Sequence, residues 1–405
     1  GDFLATSAAV RTGAEAVRVL VAKYGVASYR AITDEILDHG ERLVRRGLES
    51  IPDGVYAAEG ALDDNGVELG RPVALRVTVT VEGSNMTIDL TGSAPEQHAP
   101  INSPWPYTQA IAHMALKTLT SPDIPCNAGE RRALTLIAPE GSIFNSRPGA
   151  ASFRAVQPAS LLSELILHAV APACADRVPA MSGVDGASVN ALLDHPDSAR
   201  PSVMVYVGGH GQGAKNGADG GNALAYRMSC GVRLEPTEVV EARHPVIRHR
   251  LELDQDSGGA GKWRGGLGVI NETEYLSTGV GGTGGDISSG ATAISGLCGG
   301  AGPRRQNGVI SYYGSDHELG PPSCKRSDLP ISAGDRVLSW TAGGGGYGEP
   351  HERPIAAVVM DVENEYISRG AAKDIYGVAI RENGQVDESA TEKLRETPRW
   401  IDRAT

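Results

Sequence analysis

Between Val203 and Gly220 the chain reads VMVYVGGHGQGAKNGADG, a short apolar run that breaks into glycines carrying His210, Gln212, Lys215, Asn216 and Asp219. Together these side chains offer an imidazole, two carboxamides, an ammonium and a carboxylate. Glycines at 208, 209, 211, 213, 217 and 220 let the backbone take positive φ and bring its amides close to whatever lies opposite. Main-chain amides, a cation and an imidazole gathered in one place suit an anionic tetrahedral or phosphorylated intermediate. His210, Lys215 and Asp219 are therefore the candidate supporting catalytic residues, and Gln212 and Asn216 the candidate substrate contacts. The competing reading makes the same stretch an array of structural turns at the end of a strand. A dinucleotide fingerprint is disfavoured. Gly209, Gly211 and Ala214 fit its spacing, but Asn216-Gly217 and Asp219-Gly220 are turn formers where the motif must open a helix.

Other constellations are weaker. Gly261-Lys262 suggests a phosphate loop, but Asp256 stands where its first glycine belongs and Trp263 where a hydroxyl would hold magnesium. A tight β-turn with Lys262, Trp263 and Arg264 packed outside it is preferred. Glu164 and His168 sit at i, i+4 on a helix, which reads either as an acid/base couple or as a paired polar contact in the core. His113 is a lone helical histidine, and His244 and His249 lie five apart, which on a strand puts them on opposite faces. The chain has no G-x-S-x-G elbow, no H-E-x-x-H and no EF-hand loop. Cysteines 126, 174, 230, 298 and 324 form an odd, widely spaced set that reads as thiols. No metal-ligand or cofactor-binding set is assigned to this chain, and a reaction centre complete within it is not expected.

The elements that must position these residues follow from periodicity. Apolar residues recur at helical spacing over Leu4–Lys23 and Tyr29–Ser50, giving two amphipathic helices joined through Gly25. After Pro52-Asp53-Gly54 the period becomes two. Val73 to Val81, a turn at 82–85 and Met86 to Leu90 then form a hairpin with one buried face. Helices are expected at Tyr107–Leu119 and, apolar on most sides, at Gln157–Val170, with a strand at Ala133–Ala138 between them. Val239–Leu253 reads as a strand pair or one long strand, and 279–345 as short strands of an antiparallel sheet or barrel. Helices at Pro354–Glu363 and Ser368–Tyr376 precede a charged, frayed tail. The expected fold is α+β. It divides into a helical pair plus hairpin (1–95), a mixed α/β region with the glycine loop (96–235), a glycine-rich antiparallel region (236–350) and C-terminal helices (351–405).

Composition narrows the partners. A chain of 405 residues with net charge −12 repels nucleic acid and anionic membrane surfaces. No window holds 18 continuous apolar residues, and the first thirty lack the pattern of a secretory signal, so a cytoplasmic protein is expected. Glycine, at 52 residues, is nearly double its usual share, which points to close backbone approaches in an antiparallel sheet protein. Gly1-Asp2-Phe3 runs directly into a helical pattern, as in a segment of something longer or a processed product.

Several stretches, in order, resemble the hydantoinase B/oxoprolinase family. They are Gly1-Asp2-Phe3 with Arg11-Thr12-Gly13, Pro52 to Tyr56, Asp89 to Ser93, Pro100 to Pro104 and Asp123-Ile124-Pro125. The likeness continues through Ile137 to Ser142, the glycine loop, Asp256 to Gly266 and Gly343 to Pro350. The resemblance covers the C-terminal part of the family sequence. The family's metal motif, N-D-P-x-x-G-G-T-H-x-x-D with a further histidine, matches nothing here.

The resemblance implies one component of an ATP-dependent hydrolase of cyclic amides, of the hydantoinase, oxoprolinase or lactamase type. It acts with a hydantoinase A-type ATPase subunit that holds ATP and magnesium. A divalent transition metal is implied on a partner or on the N-terminal part of the B-type component. The alternatives are a component of an acetone- or acetophenone-type carboxylase and a non-catalytic scaffold. A hetero-oligomer acting on a small molecule is implied in the first two cases.

Overall fold

The helical spacing at the start becomes two 23-residue helices, α1 (Asp2–Tyr24) and α2 (Val26–Leu48), separated by Gly25 at φ 77°. The computed structural model describes residues 1–184, 188–225, 234–283, 292–304, 309–314 and 326–396; Cys230 and Cys324 lie outside them. α1 buries none of its residues, and α2 buries only Gly40, Val44 and Leu48. Phe3, Val10, Val17, Ile32 and Ile36 are consequently exposed.

The switch to period two produces β1 (Gly54–Leu62), β2 (Val73–Glu82) and β3 (Asn85–Asp89). β2 and β3 form the expected hairpin, with Val79 opposite Ile88. Val73, Leu75, Val77, Val79 and Val81 all point inward, as a period of two requires when one face is buried. β4 (Leu134–Ile137) joins in parallel beside β3, completing the order β1-β2-β3-β4. α3 (Trp105–Thr120) packs on α4 (Val156–Cys174), which lies against β1 and β2. α4 is buried nearly all round, as its apolar sequence requires. Leu161, Leu162, Leu165 and Leu167 each contribute about 1.5–3 kcal/mol by leaving water.

Eight further strands form two antiparallel sheets. One has the order β11 (Arg326–Ile331), β9 (Gly279–Thr283), β5 (Ser188–Leu193), β6 (Ser202–Val207). The other has the order β10 (Val309–Tyr313), β12 (Arg336–Trp340), β8 (Val269–Tyr275), β7 (Val246–Leu253). Their inner faces share one core, including Val189, Leu193, Met204, Val246, Tyr275, Tyr312 and Val337, so the sheets pack face to face. The fold is α+β, with helices at the start, antiparallel sheets and helices at the end.

Three expectations need correction. Residues Thr237–Arg243 are a helix, α5, and only Val246 onward is strand. Val239 and Val240 mimic a strand pattern, but Glu238 in the first turn and Arg243 in the last complement a helix dipole. The 254–266 stretch is no tight turn: Gly265 N bonds back to Gly259 O across a longer loop, and Arg264 is buried instead of lying outside. The tail is not frayed throughout. Beyond α6 (Ile355–Glu363) and α7 (Arg369–Asp374), an eight-residue helix α8 (Glu388–Arg395) forms, capped by the Asp387 carboxylate accepting from Ala390 N at 3.1 Å.

Candidate functional site

The glycine loop sits where glycine-rich segments from distant parts of the chain meet backbone to backbone. Gly344 N donates to Gly266 O (2.9 Å), Gly259 N to Gly344 O (2.8 Å) and Gly266 N to Gln212 O (2.8 Å). The next two residues turn elsewhere, Gly345 N to Met181 O and Gly346 N to Ala301 O, both 2.8 Å. One segment thus bonds to several neighbours, whereas a strand serves at most two in one plane. As at the axis of the collagen triple helix, only glycine fits between backbones this close. A Cβ on Gly211 would lie 2.0 Å from Gly266 O, and one on Gly344 2.1 Å from Gln212 O. Close approach, then, demands these glycines. Positive φ, the other motive read in the sequence, applies to Gly217 (91°).

The bundle directs His210 and Gln212 inward. Both are buried, with His210 1% exposed, and the His210 backbone is fixed by reciprocal bonds with Leu224 of 2.8 and 2.9 Å. His210 shares a small internal space with Ser160, Ser163 and Glu164 of α4 and with Ser182. Its Nδ1 lies 3.2 Å from Gly211 O. Ser182 ties the group together: its amide donates to Glu164 Oε2 (3.3 Å), its hydroxyl donates to Gln212 Oε1 (3.2 Å) and accepts from Gly213 N (3.2 Å). Gln212 Nε2 donates to Ala225 O at 2.6 Å. An imidazole, a carboxylate and two neutral hydrogen-bonding groups therefore converge in a site shielded from water. This is a setting for holding and moving a proton, because shielding strengthens each interaction.

Lys215 and Asn216 lie elsewhere, exposed on a turn closed by Lys215 N to Ala218 O (3.0 Å) and Ala218 N to Lys215 O (3.1 Å). Gly217 supplies the positive φ that a type II turn needs at its third residue. Asp219 faces the C-terminal helices. Its two oxygens accept from both Nη atoms of Arg353 at 2.7 Å, and Oδ1 also accepts from Arg264 N at 2.7 Å. The other edge of Arg353 meets Asp361 Oδ2, at 3.0 Å from Nε and 2.8 Å from Nη2. Arg264 stacks over Tyr366 at 5.0 Å and donates to Gly265 O.

The two carboxylates on Arg353 shift in opposite directions. Burial pushes Asp219 up, but its paired hydrogen bonds to Arg353 and the Arg264 amide outweigh this and hold it below the usual range. In Asp361, whose side chain is only 6% exposed, burial outweighs Arg353 and raises the carboxyl. Spacing gives no sign of this latch, since Asp219 and Arg353 are 134 residues apart. Ser182 escapes a reading of the sequence for a similar reason: an isolated serine in a loop carries no periodic signal.

The remaining candidates find local partners. Glu130, fully buried, takes His113 Nε2 at 2.9 Å and Lys117 Nζ at 2.8 Å, so His113 belongs to a polar network around a buried carboxylate. His244 ends α5, where its Nδ1 lies 2.7 Å from Ser202 Oγ, while His249 on β7 pairs with Glu274 at 2.7 Å. Lys262 reaches Glu352 on the surface at 3.3 Å. Among the described residues no three His, Cys, Asp or Glu side chains converge as a metal ion would need, so these residues do not fit the metal centre that the resemblance implies. No helix among them is long and apolar enough to cross a membrane.

Comparison with known proteins agrees with this architecture. A family model described as hydantoinase B/oxoprolinase matches residues 1–350. The B component of a putative D-/L-hydantoinase from Pseudomonas sp. (strain NS671) is 30% identical over 412 residues, covering 98% of this chain and 67% of that protein. The crystal structure of an ATP-dependent caprolactamase from Pseudomonas jessenii superposes with a TM-score of 0.85 at 28% identity, covering 98% of this chain and 69% of that one. A nucleotide-free acetone carboxylase shares the fold, with a TM-score of 0.77 at 19% identity over 94% of this chain and 57% of the other. The match to the family runs from the exposed N-terminal helices through the glycine bundle: this chain belongs to the hydantoinase B/oxoprolinase family.

Proposed function

We propose that the chain is one component of an ATP-dependent hydrolase that opens a cyclic amide, working with an ATPase subunit and with a metal-bearing segment outside the residues described. The observation that carries this reading is the likeness to the caprolactamase, which spans nearly the whole chain at a TM-score of 0.85. The identity of 30% with the B component of a putative hydantoinase supports the same class.

The part proposed for this chain is supporting. His210, which lines one small space with Ser182 and Glu164, holds a proton near the reacting amide. Lys215 and Asn216, exposed on their turn, face the subunit that completes the cavity, and Asp219 fixes the base of that turn through Arg353. The exposed apolar residues of α1 and the outward valines 203 and 205 of β6 provide surface for hetero-oligomer contacts. A carboxylase component is the second reading, favoured by the shared fold alone. A panel of hydantoins, 5-oxoproline and lactams, assayed on the assembled complex with ATP, separates the two. Ring-opened product formed without added bicarbonate is expected, and an absolute requirement for bicarbonate would overturn the hydrolase reading.

A further inference from the structure

The β-sandwich buries a cation on its inner face. Arg248 on β7 points into the core with Val246 and is 8% exposed. Its Nε and Nη1 are buried and make no hydrogen bond. Glu241 accepts from the Arg248 main-chain amide at 2.8 Å, and among the described residues the guanidinium has no carboxylate partner. It stacks over the Tyr206 ring at 4.8 Å. Tyr206 is also 8% exposed and its Oη has no hydrogen-bond partner, while Thr273 lies opposite Arg248 in the β7/β8 register and is buried too.

Stacking on one ring offsets only part of the cost of burying a guanidinium that lacks a counter-charge. Its open donors call for acceptors, and its uncompensated charge favours one that is negative. One cation balances one charge, which favours a monoanion over a phosphate dianion. A phenol and a guanidinium are both donors, and they can address the two oxygens of a planar oxyanion. Burial pushes the Tyr206 phenol up to about 12 against the opposing charge of Arg248, so it remains a donor at neutral pH.

We propose that the sandwich interior binds a small monovalent oxyanion, a carboxylate or bicarbonate, held by the Arg248 guanidinium and the Tyr206 hydroxyl. The assignment is independent of the reaction proposed above, because its test reads binding and not turnover.

The full chain, in the assembly in which it is isolated, is melted with increasing sodium acetate or sodium bicarbonate against sodium chloride at matched pH and ionic strength. A saturable rise in Tm beyond that in chloride is expected for at least one of the two salts, since a ligand that binds the folded state stabilises it. Saturation by acetate points to the carboxylate of an organic ligand, and saturation by bicarbonate to the inorganic ion. Arg248→Met should abolish the rise while melting no lower than the wild type without added anion, because it replaces an unpaired buried charge by an apolar chain. Tyr206→Phe should shift the midpoint roughly ten- to hundredfold upward, the loss of one charge-assisted hydrogen bond. Equal responses to all three salts would overturn the proposal, as would a saturable response that survives in Arg248→Met. Should that variant not fold, an unchanged midpoint in Tyr206→Phe has the same force.

Discussion

His210 and Lys215 are five positions apart and meet different fates, because the bundle buries one and the following turn exposes the other. That separation makes their substitutions distinguishable. Lys215→Ala touches no packed neighbour, so its stability should stay within about 0.5 kcal/mol of the wild type. If the ammonium serves the assembled site, turnover should fall by about ten- to a thousandfold. Unchanged turnover in a correctly assembled complex removes Lys215 from the mechanism. Asp219→Asn tests the latch. The folded Asp219 carboxyl lies below its ordinary value, so its stabilisation is complete above the unfolded pKa of about 3.9 and is lost as pH falls through the folded value. The variant should therefore melt lower at pH 7, by about 1–3 kcal/mol, less than for a fully buried pair because the side chain is 35% exposed. The gap should close below pH 4, and a gap independent of pH would refute the ionic account. Asp361 works in the opposite sense, since its raised carboxyl is relieved by protonation. Glycine spacing marked the loop in the sequence as a place of close backbone approach, which the packing bears out. The inward turn of His210 and the Asp219–Arg353 pair were not legible there, because both depend on partners far along the chain.

At the scale of elements, patterning carried most of the fold. The alternation of Val73 to Val81 fixed a hairpin, and the unbroken apolar stretch of α4 fixed a buried helix. It failed where residues are short or small. Seven-residue α5 contains too few turns for a period, and the glycine segments carry no side chains from which to read one. Their physical demand is steric and can be measured. Gly344→Ala would place a Cβ 2.1 Å from the Gln212 carbonyl oxygen, and neither backbone can yield without breaking bundle hydrogen bonds. A cost of about 3 kcal/mol or more, or failure to fold, is expected. Gly13→Ala in α1 meets nothing within 4 Å and should stabilise by about 0.5–1 kcal/mol. Denaturant midpoints of the two variants check this, and a Gly344→Ala protein as stable as wild type would show that the bundle tolerates side chains.

For the whole molecule, the exposed apolar residues decide the expected behaviour in isolation. Phe3, Leu4 and Val10 on α1 and Val203 and Val205 on β6 are each more than 60% exposed, the apolar surface on which the proposed contacts with other chains rest. Purified alone, the chain should self-associate in sizing chromatography, and co-expression with the proposed ATPase component should bring it to a defined complex; a monodisperse monomer with a cooperative melt counts against this. The family relation was legible from ordered short motifs, whereas the identity of the substrate is not written in any of them. The most direct test of the account is a titration of this chain into the ATPase component, supplied with ATP and a cyclic amide and without bicarbonate, with ADP and ring-opened product measured together. The account predicts that product appears only when the chain is present, rises in step with ADP and saturates at a fixed ratio of the two components. Product formed at the same rate without the chain, or ADP released with no ring opened at saturation, would contradict it.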